Sequence, residues 1–74
     1  NYEDDEWIDY DGYYAHAVED QYGDEEFLHL NVNDWISVDG CYFKSKLGFG
    51  TCQRSGKSGW FPMRIISFDE EEQA

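Results

Sequence analysis

Apolar and polar positions alternate along several short segments of the chain, which is the pattern of β-strands with one buried face. Residues 13–18 alternate weakly and place Ala15 and Ala17 on one side, while residues 35–38 place Ile36 and Val38 on one side. Further short runs rich in apolar and aromatic residues occupy positions 27–30, 49–54, 58–61 and 66–68. The pattern therefore predicts an all-β chain.

The segments between these runs are polar or contain glycine, and they predict the connections between strands. Residues 19–26, with Gly23 among them, indicate a long acidic loop, residues 31–34 a turn, residues 39–48 a second loop and residues 55–57 the link of a hairpin. Pro62 is the single proline; it cannot donate a backbone hydrogen bond within a sheet and therefore marks the end of a strand. Residues 63–65 suit one helical turn.

Three motifs stand in a familiar order: Leu28-His29-Leu30, Asn33-Asp34 and Gly59-Trp60-Phe61-Pro62. They resemble the leucine-serine-phenylalanine, glycine-aspartate and glycine-aromatic-hydrophobic-proline motifs of the Src homology 3 (SH3) family. Residues 17–21 give the best register for that family's first motif, and Phe49-Gly50 falls where its tryptophan pair belongs. The resemblance covers about residues 13–68 and implies a five-stranded SH3-like barrel with a short helical turn before the last strand.

Charge divides the chain of 74 residues into three parts, and most of the net charge of −12 lies at its ends. Residues 1–11 carry six acids and no base, residues 12–68 carry seven acids and five bases, and residues 69–74 carry four acids. We therefore expect an acidic, flexible arm over residues 1–11, an SH3-like domain over residues 12–68 and an acidic tail over residues 69–74.

The resemblance also implies where a ligand would bind, because SH3 domains hold proline-rich peptides on aromatic ridges and pair acidic loop residues with a ligand Arg or Lys. Only Pro62 of the family's ridge is retained, with Phe49 as a partial substitute, so binding of PxxP peptides should be weak or absent. The acidic loop remains, and its alternative interpretation is a solvated charged loop. The expected peptide-binding residues are Glu19, Gln21, Asp24, Glu25, Glu26, Phe49, Trp60, Pro62 and Ile65.

The second predicted loop, residues 39–48, mixes apolar and basic side chains and could form a secondary interaction surface. The residues concerned are Tyr42, Phe43, Lys44 and Leu47. They could instead fold back over the open end of the barrel. In a third alternative the acidic arm contacts Lys44 and Lys46 and masks this surface.

Several functional classes lack the residues they need. Cys41, Cys52, His16 and His29 do not have the spacing of a zinc site, and no nucleophile has a suitable base, so we expect no metal, no cofactor and no catalysis. Acidic composition disfavours nucleic acid, and no apolar run is long enough for a membrane span. The free thiols and the lack of a leader sequence favour a cytoplasmic setting.

Three hypotheses about function follow from the sequence. The first is an atypical SH3 domain that recognises a basic or proline-containing peptide or protein. The second is a structural or self-associating barrel that packs within its parent protein or forms a homodimer. The third is an acidic mimic that occupies a basic nucleic-acid-binding surface. Tyr2 and Tyr10, which lie among acids, are candidate sites for a tyrosine kinase.

Overall fold

The computed structural model describes residues 4–68 and contains one five-stranded antiparallel sheet that curls into a half-barrel. The strands are β1 (Trp7–Ala17), β2 (Trp35–Tyr42), β3 (Leu47–Cys52), β4 (Ser58–Pro62) and β5 (Ile66–Phe68). Their order in the sheet is β4-β3-β2-β1-β5, and a 3₁₀ turn, Met63–Ile65, precedes β5. The all-β fold with five strands and a short helical turn before the last strand is confirmed.

One face of the sheet forms the hydrophobic core, because every second side chain of a strand points to the same side. Strand β3 shows this alternation along its whole length: Gly48, Gly50 and Cys52 are buried, and the residues between them are partly exposed. Phe61 is the largest fully buried side chain. The cluster consists of Ala15, Ala17, Leu28, Leu30, Ile36, Val38, Cys52, Phe61, Ile65 and Ile66.

Two irregularities interrupt the pairing of the long strands. Asp39 is an extra residue in β2, because Val38 pairs with Gly50 while Gly40 pairs with Phe49. Such a bulge reverses the alternation of side chains beyond it. Cys41 is consequently buried, and Tyr42 points to the face opposite the core. The register of β1 shifts as well, near Asp11, which has a positive φ of 51°.

Strands β1 and β2 are longer than the sequence pattern predicts. Strand β1 begins at Trp7, so the predicted arm over residues 1–11 is wrong for residues 7–11, which pair with β2. The predicted loop over residues 39–48 shrinks to residues 43–46 for the same reason. Residues 7–11 pair with β2 on one side only, so the carboxylates of Asp9 and Asp11 reach water. Residues 1–3, which include Tyr2, and the predicted tail over residues 69–74 lie outside the described residues.

The predicted short strand over residues 27–30 is wrong, because this segment forms only two isolated bridges. Gln21 pairs with Leu30 within the acidic loop, and Phe27 pairs with Trp60 of β4. The first bridge closes the loop over residues 18–34 on itself, and the second attaches it to the sheet at β4. Its charged tip stays beside β4.

Asp34 joins the turn before β2 to the turn after β3. Arg54 donates two hydrogen bonds to its carboxylate, at 3.0 Å from Nε and 2.9 Å from Nη2, and the amide of Asn31 donates a third at 2.9 Å. The hydrogen bond from Arg54 is the main reason that the pKa of Asp34 falls from 3.8 to about 2. The Asp34 side chain is only 10% exposed, so this pair is better shielded from water than an ordinary surface ion pair.

We predict that the stabilisation from this pair disappears in acid. Because the pKa of Asp34 is lowered to about 2 in the folded state, the contribution is fully present above about pH 4 and is lost as the pH falls towards 2. The Arg54→Gln variant should therefore melt below the unmodified protein at pH 6, and the difference in Tm should shrink between pH 4 and pH 2. Thermal unfolding of both proteins between pH 6 and pH 2 measures this difference in Tm.

Lys57→Gln is the matched control, because it removes one positive charge from the same hairpin loop without touching Asp34. Lys57 makes no ion pair among the described residues, so its difference in Tm should change much less over the same pH range than that of Arg54→Gln. A difference for Arg54→Gln that changes as little as that of the control would contradict the assignment to Asp34.

Candidate functional site

The face of the sheet opposite the core carries a cluster of aromatic side chains at one end, which we call the aromatic face. Paired residues in neighbouring strands point to the same side of a sheet. Three such pairs meet here and cross four strands. The aromatic face comprises the pairs Trp7 with Tyr42, Leu47 with Pro62, and Phe49 with Trp60.

The four aromatic rings of this face are in contact with one another. Trp60 lies at the centre: its ring centroid is 4.8 Å from that of Phe49, 6.1 Å from Tyr42 and 6.4 Å from Trp7. Trp7 meets Tyr42 edge-on at 5.1 Å. Such pairs gain more than their buried area alone, so the rings are held in a defined arrangement.

Gly40 allows this arrangement because it has no side chain. A side chain at this position would collide with the Trp7 ring, since an added Cβ would lie 2.5 Å from its Cζ2 atom and equally close to the carbonyl oxygen of Ile8. Trp7 therefore lies directly on the backbone of β2. The glycine brings an indole from β1 within reach of an indole from β4.

The aromatic face remains open to solvent. Trp7 is 42% exposed, and Tyr42, Phe49, Trp60 and Pro62 are half-buried. A contiguous apolar surface of this kind, bordered by polar groups, is typical of interaction sites on small soluble domains. Its aromatic composition is also that of energetically dominant residues in protein interfaces.

The acidic loop reaches one border of the aromatic face. Trp60 donates its amide hydrogen to the carbonyl of Glu26 at 3.0 Å, and the amide of Leu28 donates to the carbonyl of Trp60 at 3.0 Å. The side chain of Gln21 donates to the same Trp60 carbonyl at 3.2 Å. These bonds fix the loop against β4, so Glu25 and Glu26 are exposed acids next to an aromatic surface.

Asp24 shapes the tip of this loop through hydrogen bonds from backbone amides, and it keeps its negative charge. Its carboxylate accepts the amide hydrogens of Glu26 and Phe27, both at 2.8 Å. The hydrogen bond from Phe27, followed by that from Glu26, holds the pKa of Asp24 below its usual value. A shallow groove beside it is lined by Glu25, Phe27, His29 and Lys57.

The structure brings only part of the predicted peptide-binding set together. Phe49, Trp60 and Pro62 share the aromatic face, with Glu25 and Glu26 at its border. Gln21 holds the loop in place. Glu19 accepts a hydrogen bond from Arg64 at 3.1 Å, between two well-exposed side chains.

Ile65 does not belong to an exposed ridge. It is 2% exposed and lies in the hydrophobic core, at the end of the 3₁₀ turn. Its prediction as a ligand-contacting residue rested on its position after Pro62, where the family has a tyrosine. An isoleucine lacks the polar tip that keeps a tyrosine at the surface, so it packs inward.

The predicted second interaction loop is divided between strands and a turn. Tyr42 and Leu47 belong to β2 and β3 and lie on the aromatic face. Phe43 and Lys44 lie in the turn, where Phe43 is 52% exposed. The Lys46 Nζ lies 4.7 Å from the centroid of the Phe43 ring.

The acidic segment before β1 does contact this turn, and it binds backbone amides of the turn. The Asp5 carboxylate accepts the amide hydrogens of Lys44 at 2.6 Å and Ser45 at 3.1 Å, and the amide of Phe43 donates to the carbonyl of Glu6 at 2.7 Å. Desolvation opposes the charge on Asp5, yet the hydrogen bond from Lys44 and those from Ser45 lower its pKa overall. The arm therefore holds the turn in place.

Trp7 is the member of the aromatic face that the sequence did not predict. A signal was present, because Ile8 and Tyr10 stand two residues apart, as on one face of a strand. Both lie on the core side of β1. The density of carboxylates around it hid the pattern of a half-buried strand.

Neither a metal site nor a membrane helix is found among residues 4–68. No group of three His, Cys, Asp or Glu side chains in this range could hold an ion. No helix in the same range is long and apolar enough to cross a bilayer. Comparison of the chain with family models, curated proteins and solved structures finds no match.

We predict that Asp5→Ala loosens the turn between β2 and β3. The variant removes the acceptor for two backbone amides, which should then exchange with solvent faster. Hydrogen exchange of Lys44 and Ser45, followed by NMR, measures this effect. Asp4→Ala is the control with the same change of charge. Equal exchange rates in both variants would show that the carboxylate of Asp5 does not hold the turn.

Proposed function

We propose that this protein is a non-catalytic interaction module, similar to a divergent SH3 domain, that binds a basic segment of a partner protein across the aromatic face. The observation that carries the proposal is the half-exposed cluster around Trp60, with the acidic loop attached directly to the backbone of the same residue.

Aromatic rings suit this role because they offer a large, stiff contact surface. Trp60 and Phe49 are already held by their neighbours, so little side-chain entropy is lost when a ligand covers them. The face of an indole also attracts a guanidinium or ammonium group, by about 0.5–2 kcal/mol depending on solvent exposure. An arginine side chain can therefore use both its charge and its flat surface here.

The exposed acids beside Trp60 add direction to this attraction. Glu25 and Glu26 have no ion-pair partner among the described residues. Acids at the border of an interface mainly accelerate the approach of a basic partner and reject acidic ones. Basic character in the partner is thus favoured over a neutral proline-rich sequence.

The geometry gives little support to ordinary PxxP recognition. That mechanism needs two ridges of exposed aromatic side chains beside a proline. Of the positions expected to form them, Glu19 is engaged by Arg64, Gln21 bonds to backbone carbonyls, and Ile65 is buried. Pro62 and Phe49 alone leave a single ridge.

Self-association is the second candidate, favoured by Phe43, which is 52% exposed at the tip of a turn. A second copy of the chain could cover this ring. The net charge of −12 opposes such contacts at low salt. Titration of the protein alone, over a series of concentrations, distinguishes this candidate from peptide binding.

We predict that Trp60→Ala abolishes most of the affinity for a basic peptide. Loss of a central aromatic contact costs about 2 kcal/mol or more, which corresponds to a Kd at least about 30-fold higher. Calorimetric titration with an arginine-containing peptide measures this change, and a peptide of equal length with uncharged residues should bind weakly to both proteins.

Trp35→Ala is the matched control. Trp35 is 44% exposed and packs against His16 at the other end of the sheet, beyond the polar pair of Thr51 and Ser58. Its removal should leave the Kd nearly unchanged. Equal losses of affinity in the two variants, or tighter binding of the uncharged peptide, would overturn the proposal.

A further inference from the structure

A single row of residues crosses the whole aromatic face from β1 to the acidic loop. Each member pairs with the next across a strand boundary, so all point to the same side of the sheet. The row runs Asp9, Gly40, Phe49, Trp60 and Phe27. It begins with an acid, continues through a glycine that the Trp7 ring covers and through two aromatic residues, and ends at the loop that carries Glu25.

Asp9 is an exposed acid on the same side of β1 as Trp7. One of its oxygens, Oδ1, accepts the amide hydrogen of Asp11 at 2.9 Å, which fixes the direction of the carboxylate. Within residues 4–68 the two ion pairs join Arg54 to Asp34 and Arg64 to Glu19, so no cation of that range neutralises Asp9. A held carboxylate therefore borders the aromatic face at the side away from the loop.

The charges around the row favour a partner with two separate cations. Asp9 stands at one end, and Asp24 and Glu25 stand at the other, where Lys57 offsets part of their charge. Lys44 and Lys46 lie in the turn, past the ends of β2 and β3. A second copy of this chain fits poorly, because its own net charge is −12. Charge complementarity instead selects a basic segment.

We propose that Asp9 is a second acidic anchor, and that the partner is an extended segment crossing the strands with one basic residue for Asp9 and another for the acidic loop. This inference rests on the proposed function, because it assigns the direction and chemistry of the same ligand. The aromatic rings between the two acids would contact the apolar parts of that segment.

The width of the row sets the spacing of the two basic residues. Four strand spacings of about 4.8 Å separate the backbones of Asp9 and Phe27, or about 19 Å along the sheet. Curling of the sheet shortens the direct path. An extended peptide advances about 3.1–3.3 Å per residue, so roughly four to six residues should separate the two cations.

Synthetic peptides of equal length and equal overall composition test this inference. One series carries an arginine near one end and a second arginine placed two, four, five, six or eight residues further on. A reference peptide keeps the first arginine and has glutamine in place of the second. We expect the tightest binding at a separation of four to six residues.

The variant Asp9→Asn then identifies the anchor, since its amide oxygen can still accept the hydrogen bond from Asp11. It should weaken binding of the best two-arginine peptide about fivefold, the size expected for an exposed charge pair, and should leave the reference peptide unchanged. Asp11→Asn removes the same charge at the neighbouring irregularity of β1. It should leave the Kd of the two-arginine peptide and that of the reference peptide nearly unchanged.

The possible results separate this inference from the proposed function. If the two-arginine peptides bind but Asp9→Asn and Asp11→Asn behave alike, the assignment of Asp9 is overturned while the recognition of basic peptides stands. If the spacing of the arginines has no influence, the crossing direction is overturned. If no peptide of the series binds the unmodified protein, both proposals fail.

Discussion

The extra residue Asp39 in β2 sets which side chains of that strand face the core and which face the opposite side of the sheet. Without Asp39, the alternation of β2 would continue unbroken, and Tyr42 would point towards the core while Cys41 faced outward. With it, the first half of β2 supplies Ile36 and Val38 to the core, and the second half supplies Tyr42 to the opposite face. One strand thereby serves two clusters of side chains on opposite sides of the same sheet.

Electrostatics and packing act together at this end of the molecule. The acidic segment before β1 would gain little from burial by itself, yet its Asp5 carboxylate satisfies two amides of the turn, and Trp7 then covers Gly40. Acids at the borders remain hydrated while aromatic rings occupy the centre. The arrangement keeps a small acidic domain folded and leaves it an apolar surface with negative edges, and the basic ligand that we propose would complement both features.

Much of the fold could be predicted from alternation and turn chemistry alone, because strands with one buried face leave a period of two. The last strand was predictable for this reason, and Pro62 marked the point at which the preceding strand ends. The bulge at Asp39 was not predictable, since the change of phase that it causes is recognised only from the pairing with the neighbouring strand. Phe49 and Trp60 could be proposed as site residues from the motifs that they occupy, whereas the carboxylates around Trp7 hid its strand. Ile65 is buried, although its position after Pro62 predicted a contact with ligand.

If the ligand covers the aromatic face, the three tryptophan side chains will report its binding directly. Their indole N–H groups give separate NMR signals, and an arginine-containing peptide can be titrated while all three are observed. We expect progressive shifts of the Trp60 and Trp7 signals, with the Trp35 signal almost unmoved at the far end of the sheet. A shift of Trp35 equal to that of Trp60, or saturable binding with no change at Trp60 and Trp7, would show that the ligand binds elsewhere.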